Sequence, residues 1–308
     1  KVWGIPTTKL QATWAAQRIK NLSLWSAVIN SLGIGKKDLT SLIEEFKYPE
    51  FGPGQLWENV SIKLQDFGQT LLLENSVVSA RYIQSIYKVQ TNKGLILESP
   101  KVYSSLPLSL VPELLDAPAE IKNLAKRLKY RDFLIVCIPV VLSHELFNDN
   151  WIYIHDPKVR VGRIQNYGSW SPSLVKEGKT CLGLEYFVNQ HDDLWSMDDY
   201  SLFKLALDEL KSIGLVVESW QEQHYVVRVA KAYPVYDADY ISSVNGIKNW
   251  LLKSHPNWYQ IGRNGQHRYN NQDHSMLTAK FAVEHSLNIQ GEDYWEVNID
   301  DNYHEQAI

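Results

Sequence analysis

The residues best suited to binding a ligand lie in the polar loop GRNGQHRYNNQDHSM at residues 262–276. The loop follows the apolar run WYQI and precedes a helix pattern at residues 275–288, so it completes a strand–turn–helix unit. Such units bind anions because the N–H groups and the positive dipole end of a helix start attract negative charge. Gly262 and Gly265 would let the backbone approach a ligand closely.

Several side chains of this loop add hydrogen-bond donors. They are Arg263, His267, Arg268 and Tyr269. The alternative interpretation is that Asn270, Asn271 and Asp273 only cap the following helix. The loop holds more polar residues than one cap needs, so we predict an anion-binding site.

Hydrophobic periodicity predicts the elements that must position this loop. Helix patterns occur at residues 11–32, 55–65, 119–128, 198–213, 241–252 and 275–288. Five β-like runs between Tyr130 and Tyr236 predict one antiparallel sheet, with the helix at 198–213 covering one face. Further β-rich runs lie between residues 71 and 107.

Composition excludes several classes of protein. The 308 residues carry a net charge of −4, which gives no electrostatic footprint for nucleic acid. The longest uncharged apolar run, at residues 133–142, has half the roughly 20 residues that a membrane helix needs. We therefore predict a folded protein with no transmembrane segment and a cytoplasmic location.

Familiar catalytic and metal-binding motifs are absent from the sequence. It contains no GxGxxG fingerprint, no phosphate-binding Walker loop and no HExxH pair. Cys137 and Cys181 lie in apolar runs, where a free thiol behaves as a small hydrophobe. We therefore predict no metal site, and no catalytic residue can be named from spacing alone.

Several segments, in order along the chain, together resemble the FAD-dependent superfamily of amine oxidases, protoporphyrinogen oxidases and UDP-galactopyranose mutases. They are KVWGIPTTKLQATWAAQRIKNLSL, YPEFGPGQLWENV, YRDFLIVCIPV, NWIYIHDPKVRVGRIQNYGSWSP, TCLGLEYF, AYPVYDADY and the GRNG-to-HSM loop. The resemblance implies an α/β (α+β-like) fold. An incomplete Rossmann-like FAD-binding domain would be interleaved with a substrate domain built on an antiparallel sheet.

The resemblance also implies domain boundaries. Residues 1–45 would be a helical part of the substrate domain, and 46–118 part of the FAD-binding domain. Residues 119–255 would form the antiparallel-sheet substrate domain, and 256–308 the C-terminal part of the FAD-binding domain.

The resemblance also implies roles for individual residues. Arg163 resembles a mutase arginine near the flavin, while Arg263 and Tyr269 match residues that hold the substrate phosphate, so these three would contact substrate or the flavin ring. Val77 would place its backbone beside the adenine. The other residues expected to bind FAD are Gly262, Arg263, Asn271, Gln272, Asp273, Ser275 and Met276.

Two departures from the family pattern affect the expected activity. Where the mutases have an Asp-Met pair, this sequence has Asn271-Gln272. The glycine-rich strand–turn–helix and the acidic ribose ligand that open such proteins are also missing. We therefore expect the chain to be a fragment or one half of a split protein, whose FAD site is completed by a missing N-terminal segment or a partner chain.

Three functions remain open on these grounds. The first is an FAD-dependent oxidoreductase acting on a bulky small molecule, since eleven Trp and seventeen Tyr suit an aromatic-lined cavity. The second is a UDP-galactopyranose mutase-like isomerase of sugar nucleotides. The third is a non-catalytic half that needs a partner chain.

Overall fold

The computed structural model describes residues 46–141, 147–215 and 218–298. The helix predicted at residues 11–32 and the domain segment predicted at 1–45 lie outside the described residues. The chain divides into two compact units. The first contains Lys47–Glu74 and Tyr130–Tyr233, and the second contains Asn75–Lys129 and residues 234–298.

The helices and strands are named in chain order. The first are helix α1 (Gly54–Asp66), strands β1 (Val77–Ile83), β2 (Ile86–Thr91), β3 (Ile96–Ser99) and β4 (Val102–Ser104), and helices α2 (Val111–Leu114) and α3 (Ala119–Arg127). Then follow β5 (Tyr130–Val141), β6 (Trp151–Tyr153), β7 (Arg163–Asn166), α4 (Tyr167–Trp170), β8 (Lys179–Val188), α5 (Asp193–Ser196) and α6 (Asp199–Ser212). The last are β9 (Glu218–Ser219), β10 (Tyr225–Pro234), α7 (Tyr240–Ser254), β11 (Trp258–Gln260), α8 (Gly262–Gly265) and α9 (Gln272–Ser286).

The first unit is built on a six-stranded sheet in the order β10–β5–β8–β7–β6, with β9 beside β5. The five runs predicted between Tyr130 and Tyr236 all form strands of this sheet, and the two-residue β9 is an addition. Alternation along β5 and β8 sends every second side chain into a core shared with α6. This core contains Leu134, Val136, Ile138, Leu182, Leu184, Leu202, Phe203 and Leu210.

Helix α6 begins and ends where the sequence predicts. The side chain of Asp198 accepts a hydrogen bond from the N–H of Ser201 at 2.9 Å, which caps the helix start. Gly214 follows the helix with φ +84°, a conformation that glycine adopts without a steric cost. The helix packs on one face of the sheet through Leu202, Phe203 and Leu210.

The second unit contains two small sheets. Strands β1, β2 and β3 form an antiparallel meander, and β4 pairs with β11 in parallel, with Val102 opposite Trp258. Helices α3 and α7 approach closely at Gly246, where an added Cβ would lie 2.4 Å from Leu124 Cδ1. The predicted α/β (α+β-like) class, with mixed helices and antiparallel sheets, is confirmed.

One helix boundary differs from the prediction. The last helix begins at Gln272 rather than at 275, because Asn271 and His274 form a reciprocal capping box at its start. Asn271 therefore acts as the cap, as the alternative interpretation of the loop allows. Among the described helices, none is both long and apolar enough to cross a lipid bilayer.

Candidate functional site

The polar loop of the second unit leaves the parallel strand β11 and passes through α8 into α9. The N–H of Ile261 donates to Ser104 O on β4 at 2.9 Å, and the N–H of Gly262 donates to Thr278 Oγ1 on α9 at 2.8 Å. Gly262 has φ +74°, so a residue with a side chain would be strained there. These bonds fix the turn between the strand and the last helix.

Gly265 serves this loop for a different reason. A Cβ at this position would lie 2.9 Å from the backbone oxygen of Ser104 and 3.5 Å from the Cα of Ser105. The loop therefore packs directly on the backbone that follows β4, and only glycine leaves enough space.

Arg263 and Tyr269, both expected to contact substrate, lie together in the structure. The guanidinium carbon of Arg263 is 4.7 Å from the ring centroid of Tyr269, within the range of a cation–π contact. The Nε of Arg263 also donates to Asn270 O at 2.8 Å. Both contacts hold the arginine in one orientation, which favours binding of an anion.

Tyr236 forms a hydrogen bond with the backbone of the loop. Its hydroxyl accepts a hydrogen bond from the N–H of Tyr269 at 2.6 Å, and its ring stacks on Tyr240 at a centroid distance of 4.4 Å. Burial raises the pKa of Tyr236 to about 12. The phenol therefore stays protonated and neutral throughout the ordinary pH range.

The first turns of α9 contain further residues that are expected to bind FAD. Gln272, Asp273 and Met276 are exposed, whereas Ser275 is half-buried and donates through Oγ to Asn271 O at 2.9 Å. The first backbone N–H groups of a helix have no partner within that helix, so those of Gln272 and Asp273 point toward any ligand there. The exposed carboxylate of Asp273 lies in the same turn and would weaken the attraction for an anion.

The loop also contains buried amide atoms without a hydrogen-bond partner among the described residues. They are Asn264 Oδ1, Gln266 Oε1 and Asn270 Nδ2. Leaving such a group unpaired costs about 1–3 kcal/mol, which a bound ligand or water would recover. Asn264 and Gln266 are not among the site residues predicted from the sequence, although the density of amides in the loop points to them.

Arg268 has a mainly structural role. Its Nη1 donates to the backbone oxygens of Trp295 and Val297 at 2.6 and 2.7 Å, so it ties the segment after α9 to the loop. Burial lowers the pKa of the Arg268 guanidinium from its ordinary value. Val77, the remaining residue expected to bind FAD, is half-buried at the start of β1.

Arg163, which is expected to contact substrate or the flavin ring, lies on the sheet face opposite the helical core. Its Nε donates to Glu185, and its Nη1 lies 3.5 Å from the hydroxyl of Tyr153. Gln165 and Trp170 extend this network, because Trp170 Nε1 donates to Gln165 Oε1 at 3.1 Å. Gln165 in turn donates to Glu185.

Burial lowers the pKa of the Arg163 guanidinium, but the hydrogen bond and charge of Glu185 outweigh this effect and raise it above its ordinary value. Arg163 is therefore a permanent cation held by a buried carboxylate. Beside it, Trp151 stacks on Trp170 with ring centroids 5.1 Å apart, and Tyr48 lies 4.8 Å from Trp170. This sheet face thus combines a cation with an aromatic surface.

In the described part of the chain, no group of three or more His, Cys, Asp and Glu side chains is arranged to hold a metal ion.

Comparison with known proteins gives structural matches only. No protein-family model and no curated protein matches the sequence. A structure of reduced UDP-galactopyranose mutase matches with a TM-score of 0.78 at 16% identity, covering 97% of this chain and 65% of the mutase chain. A structure from Exiguobacterium sp. 255-15, assigned as a protoporphyrinogen oxidase, matches with a TM-score of 0.62 at 16% identity, covering 84% of this chain and 57% of that one.

A third match is a CLA-producing fatty acid isomerase from P. acnes, with a TM-score of 0.54 at 14% identity, covering 76% of this chain and 52% of that one. At these identities the likeness establishes the fold. The predicted resemblance to UDP-galactopyranose mutase and to protoporphyrinogen oxidase-like proteins is therefore confirmed for the fold. The chain spans less than two thirds of the length of each of these proteins.

Proposed function

We propose that the protein to which this chain belongs binds FAD and is an oxidoreductase acting on a bulky small molecule. The observation that carries the proposal is the loop at residues 262–276, which joins a parallel strand to the start of α9 and carries a fixed arginine. Helix N–H groups, Arg263 and the unpaired buried Nδ2 of Asn270 are donors that suit a diphosphate. The fold shared with the mutase and oxidase structures supports the same proposal.

When bound, FAD would supply the redox chemistry. Gly262, Arg263, Asn271, Gln272, Asp273, Ser275 and Met276 would hold it, together with the backbone at Val77. Arg163 and Tyr269, with Arg263, would contact the substrate or the flavin ring. Under this proposal residues 46–118 and 256–308 belong to the FAD-binding domain and 119–255 to the substrate domain, and the protein is cytoplasmic.

We further propose that polypeptide outside the present sequence completes the FAD site. Among the described strands, β11 pairs only with β4, whereas parallel strands are normally paired and covered inside a larger sheet. Helix α1 supports this proposal because it buries no residue and exposes apolar side chains. These are Leu56, Trp57, Val60, Ile62 and Leu64.

Absorbance and intact mass of the purified chain test this arrangement together. We expect a colourless protein at 35.5 kDa, or a yellow protein that carries an additional chain. A yellow protein of 35.5 kDa with no further chain would support FAD binding and contradict the need for additional polypeptide.

A titration tests the role of the loop itself. We expect weak binding of FAD to the isolated chain, measured by flavin fluorescence, and binding about tenfold weaker in Arg263→Gln because a charge-assisted hydrogen bond to phosphate is lost. Arg81→Gln, at an exposed arginine on β1, is the control and should bind as the unaltered chain does. Riboflavin, which has no phosphate, should bind equally to the unaltered chain and to Arg81→Gln, and it should lose less affinity than FAD does in Arg263→Gln. Equal FAD affinity in Arg263→Gln and the unaltered chain would contradict the proposed site.

A mutase-like isomerase is the second candidate. It is favoured by the structural match that covers 97% of this chain. In this reading Arg163, Arg263 and Tyr269 would hold the diphosphate of a sugar nucleotide, although Asn271-Gln272 replaces the expected Asp-Met pair. Turnover of UDP-galactopyranose without net oxidation by the completed protein would favour this candidate. Consumption of oxygen or another electron acceptor would favour the oxidoreductase, and a completed protein with neither activity would indicate a binding role.

A further inference from the structure

The two cysteines of the chain lie on neighbouring strands of the first unit and face the same side of the sheet. Cys137 on β5 is opposite Gly183 on β8, and Cys181 on β8 is opposite Pro139 on β5. The two thiols are therefore diagonal neighbours on the sheet face opposite the helical core. Both residues are half-buried.

Tyr167 brings a third polar group to the two thiols. A Cβ at Gly183 would lie 2.9 Å from the ring of Tyr167, so the glycine makes room for this ring above the strand. The Tyr167 hydroxyl lies 3.0 Å from the same Cβ position, above the residue that is paired with Cys137.

The two sulfurs differ in acidity. Hydrogen bonding by Cys181, with a smaller contribution from Tyr167, outweighs burial and lowers the pKa of Cys137. The same contact and burial raise the pKa of Cys181, and burial raises the pKa of Tyr167. The proton is therefore lost first from Cys137, while Cys181 and Tyr167 remain donors to the thiolate.

We propose that Cys137 and Cys181 form a reactive dithiol that exchanges with small-molecule disulfides and closes to a reversible cross-strand disulfide. First, the Cys137 thiolate attacks one sulfur of the small disulfide, forms a mixed disulfide and releases one thiolate. Cys181 then loses its proton, attacks the Cys137 sulfur and releases the second small thiol. Two protein thiols are oxidised to one disulfide, and the small disulfide is reduced to two thiols.

The geometry makes this bond reversible rather than permanent. Diagonal neighbours ordinarily have Cα atoms about 7–8 Å apart, whereas bridged cysteines have Cα atoms about 4.4–6.8 Å apart. Closing the bond therefore requires a small shift of β5 against β8, and a disulfide formed under such a distortion is easily reduced.

Intact mass after treatment with oxidised glutathione tests the proposal on the full chain. The sequence contains two cysteines, so every thiol that is titrated belongs to Cys137 or Cys181. We expect the mass to fall by about 2 Da with no titratable thiol left, and dithiothreitol to reverse the change. A stable adduct with one glutathionyl group, or two thiols that stay reduced, would contradict the proposal and leave the cysteines as small core residues.

Two single variants distinguish attacking and resolving sulfurs. Cys181→Ser should stop at the mixed disulfide with one glutathionyl group, whereas Cys137→Ser should react about fivefold or more slowly. Tyr167→Phe should retain both thiols but react more slowly near neutral pH, with its rate–pH profile moved to higher pH. Equal reaction rates of the two serine variants would overturn the assigned roles.

Discussion

Arg163 and Glu185 form an ion pair directly across β7 and β8, and the carboxylate is only 1% exposed. Gln165 donates to the other carboxylate oxygen, so both oxygens of Glu185 are used by neighbours on the same sheet face. A buried carboxylate would be costly without these partners. The pair therefore fixes the position of the cation that we propose contacts the substrate or the flavin ring.

Loss of the carboxylate should destabilise the first unit strongly. In Glu185→Ala the largely buried Arg163 keeps its charge without a partner, so we expect the free energy of unfolding to fall by about 3 kcal/mol. Urea denaturation measures this change. The matched control is Glu98→Ala, which breaks an exposed pair with Lys88 and should cost no more than about 1 kcal/mol. Equal costs in the two variants would contradict the structural role of Glu185.

Acid should destabilise the second unit through His267. This side chain is 1% exposed, its Nε2 lies 3.3 Å from Val235 O, and burial lowers its pKa to about 4. Between about pH 6.5 and pH 4 the unfolded chain binds a proton that the folded chain does not, so stability is full above this range and falls as pH decreases through it. We expect about 3 kcal/mol of loss from this group.

Two variants isolate that contribution in urea denaturation at several pH values. His267→Gln should lose less stability than the unaltered chain on acidification, because the titrating ring is gone. His191→Gln, at an exposed histidine, should keep the full pH dependence. An unchanged pH dependence in His267→Gln would show that the ring is not buried in its neutral form.

Gly265 should be intolerant of a side chain. In Gly265→Ala the added Cβ would meet the backbone oxygen of Ser104 at 2.9 Å, and we expect a cost of about 1–3 kcal/mol because a backbone cannot turn away as a side chain can. Gly54→Ala is the control, since nothing lies within 4 Å of an added Cβ at that helical position. Melting temperatures should fall for the first variant and stay equal or rise for the second.

The apolar surface of α1 and the residues after it should promote association of the isolated chain. Phe67 is 79% exposed, so Phe67→Ser should change the free energy of unfolding by no more than about 0.5 kcal/mol. The same change removes exposed apolar area and should reduce self-association, measured by sedimentation. A large loss of stability would show instead that Phe67 is packed.

Local patterns in the sequence were enough to predict most elements. The period-2 runs between Tyr130 and Tyr236 and the Asp198-to-Gly214 helix signals all correspond to elements of the structure, because alternation and caps act over a few residues. The apolar pattern places the start of α9 three residues late. Its cap depends on a reciprocal bond between Asn271 and His274, which the apolar pattern does not reveal.

Only the tertiary structure decided which distant residues meet. The sequence singled out Arg163 through resemblance, but its partner Glu185 lies on another strand, and the register that sets them opposite each other depends on packing of the whole sheet. The diagonal contact of Cys137 and Cys181 arises in the same way, although each looked like an isolated apolar thiol. Residue type and local spacing thus determined the elements and the polar loop, whereas strand pairing, which joins residues far apart in the chain, determined the charged and thiol pairs.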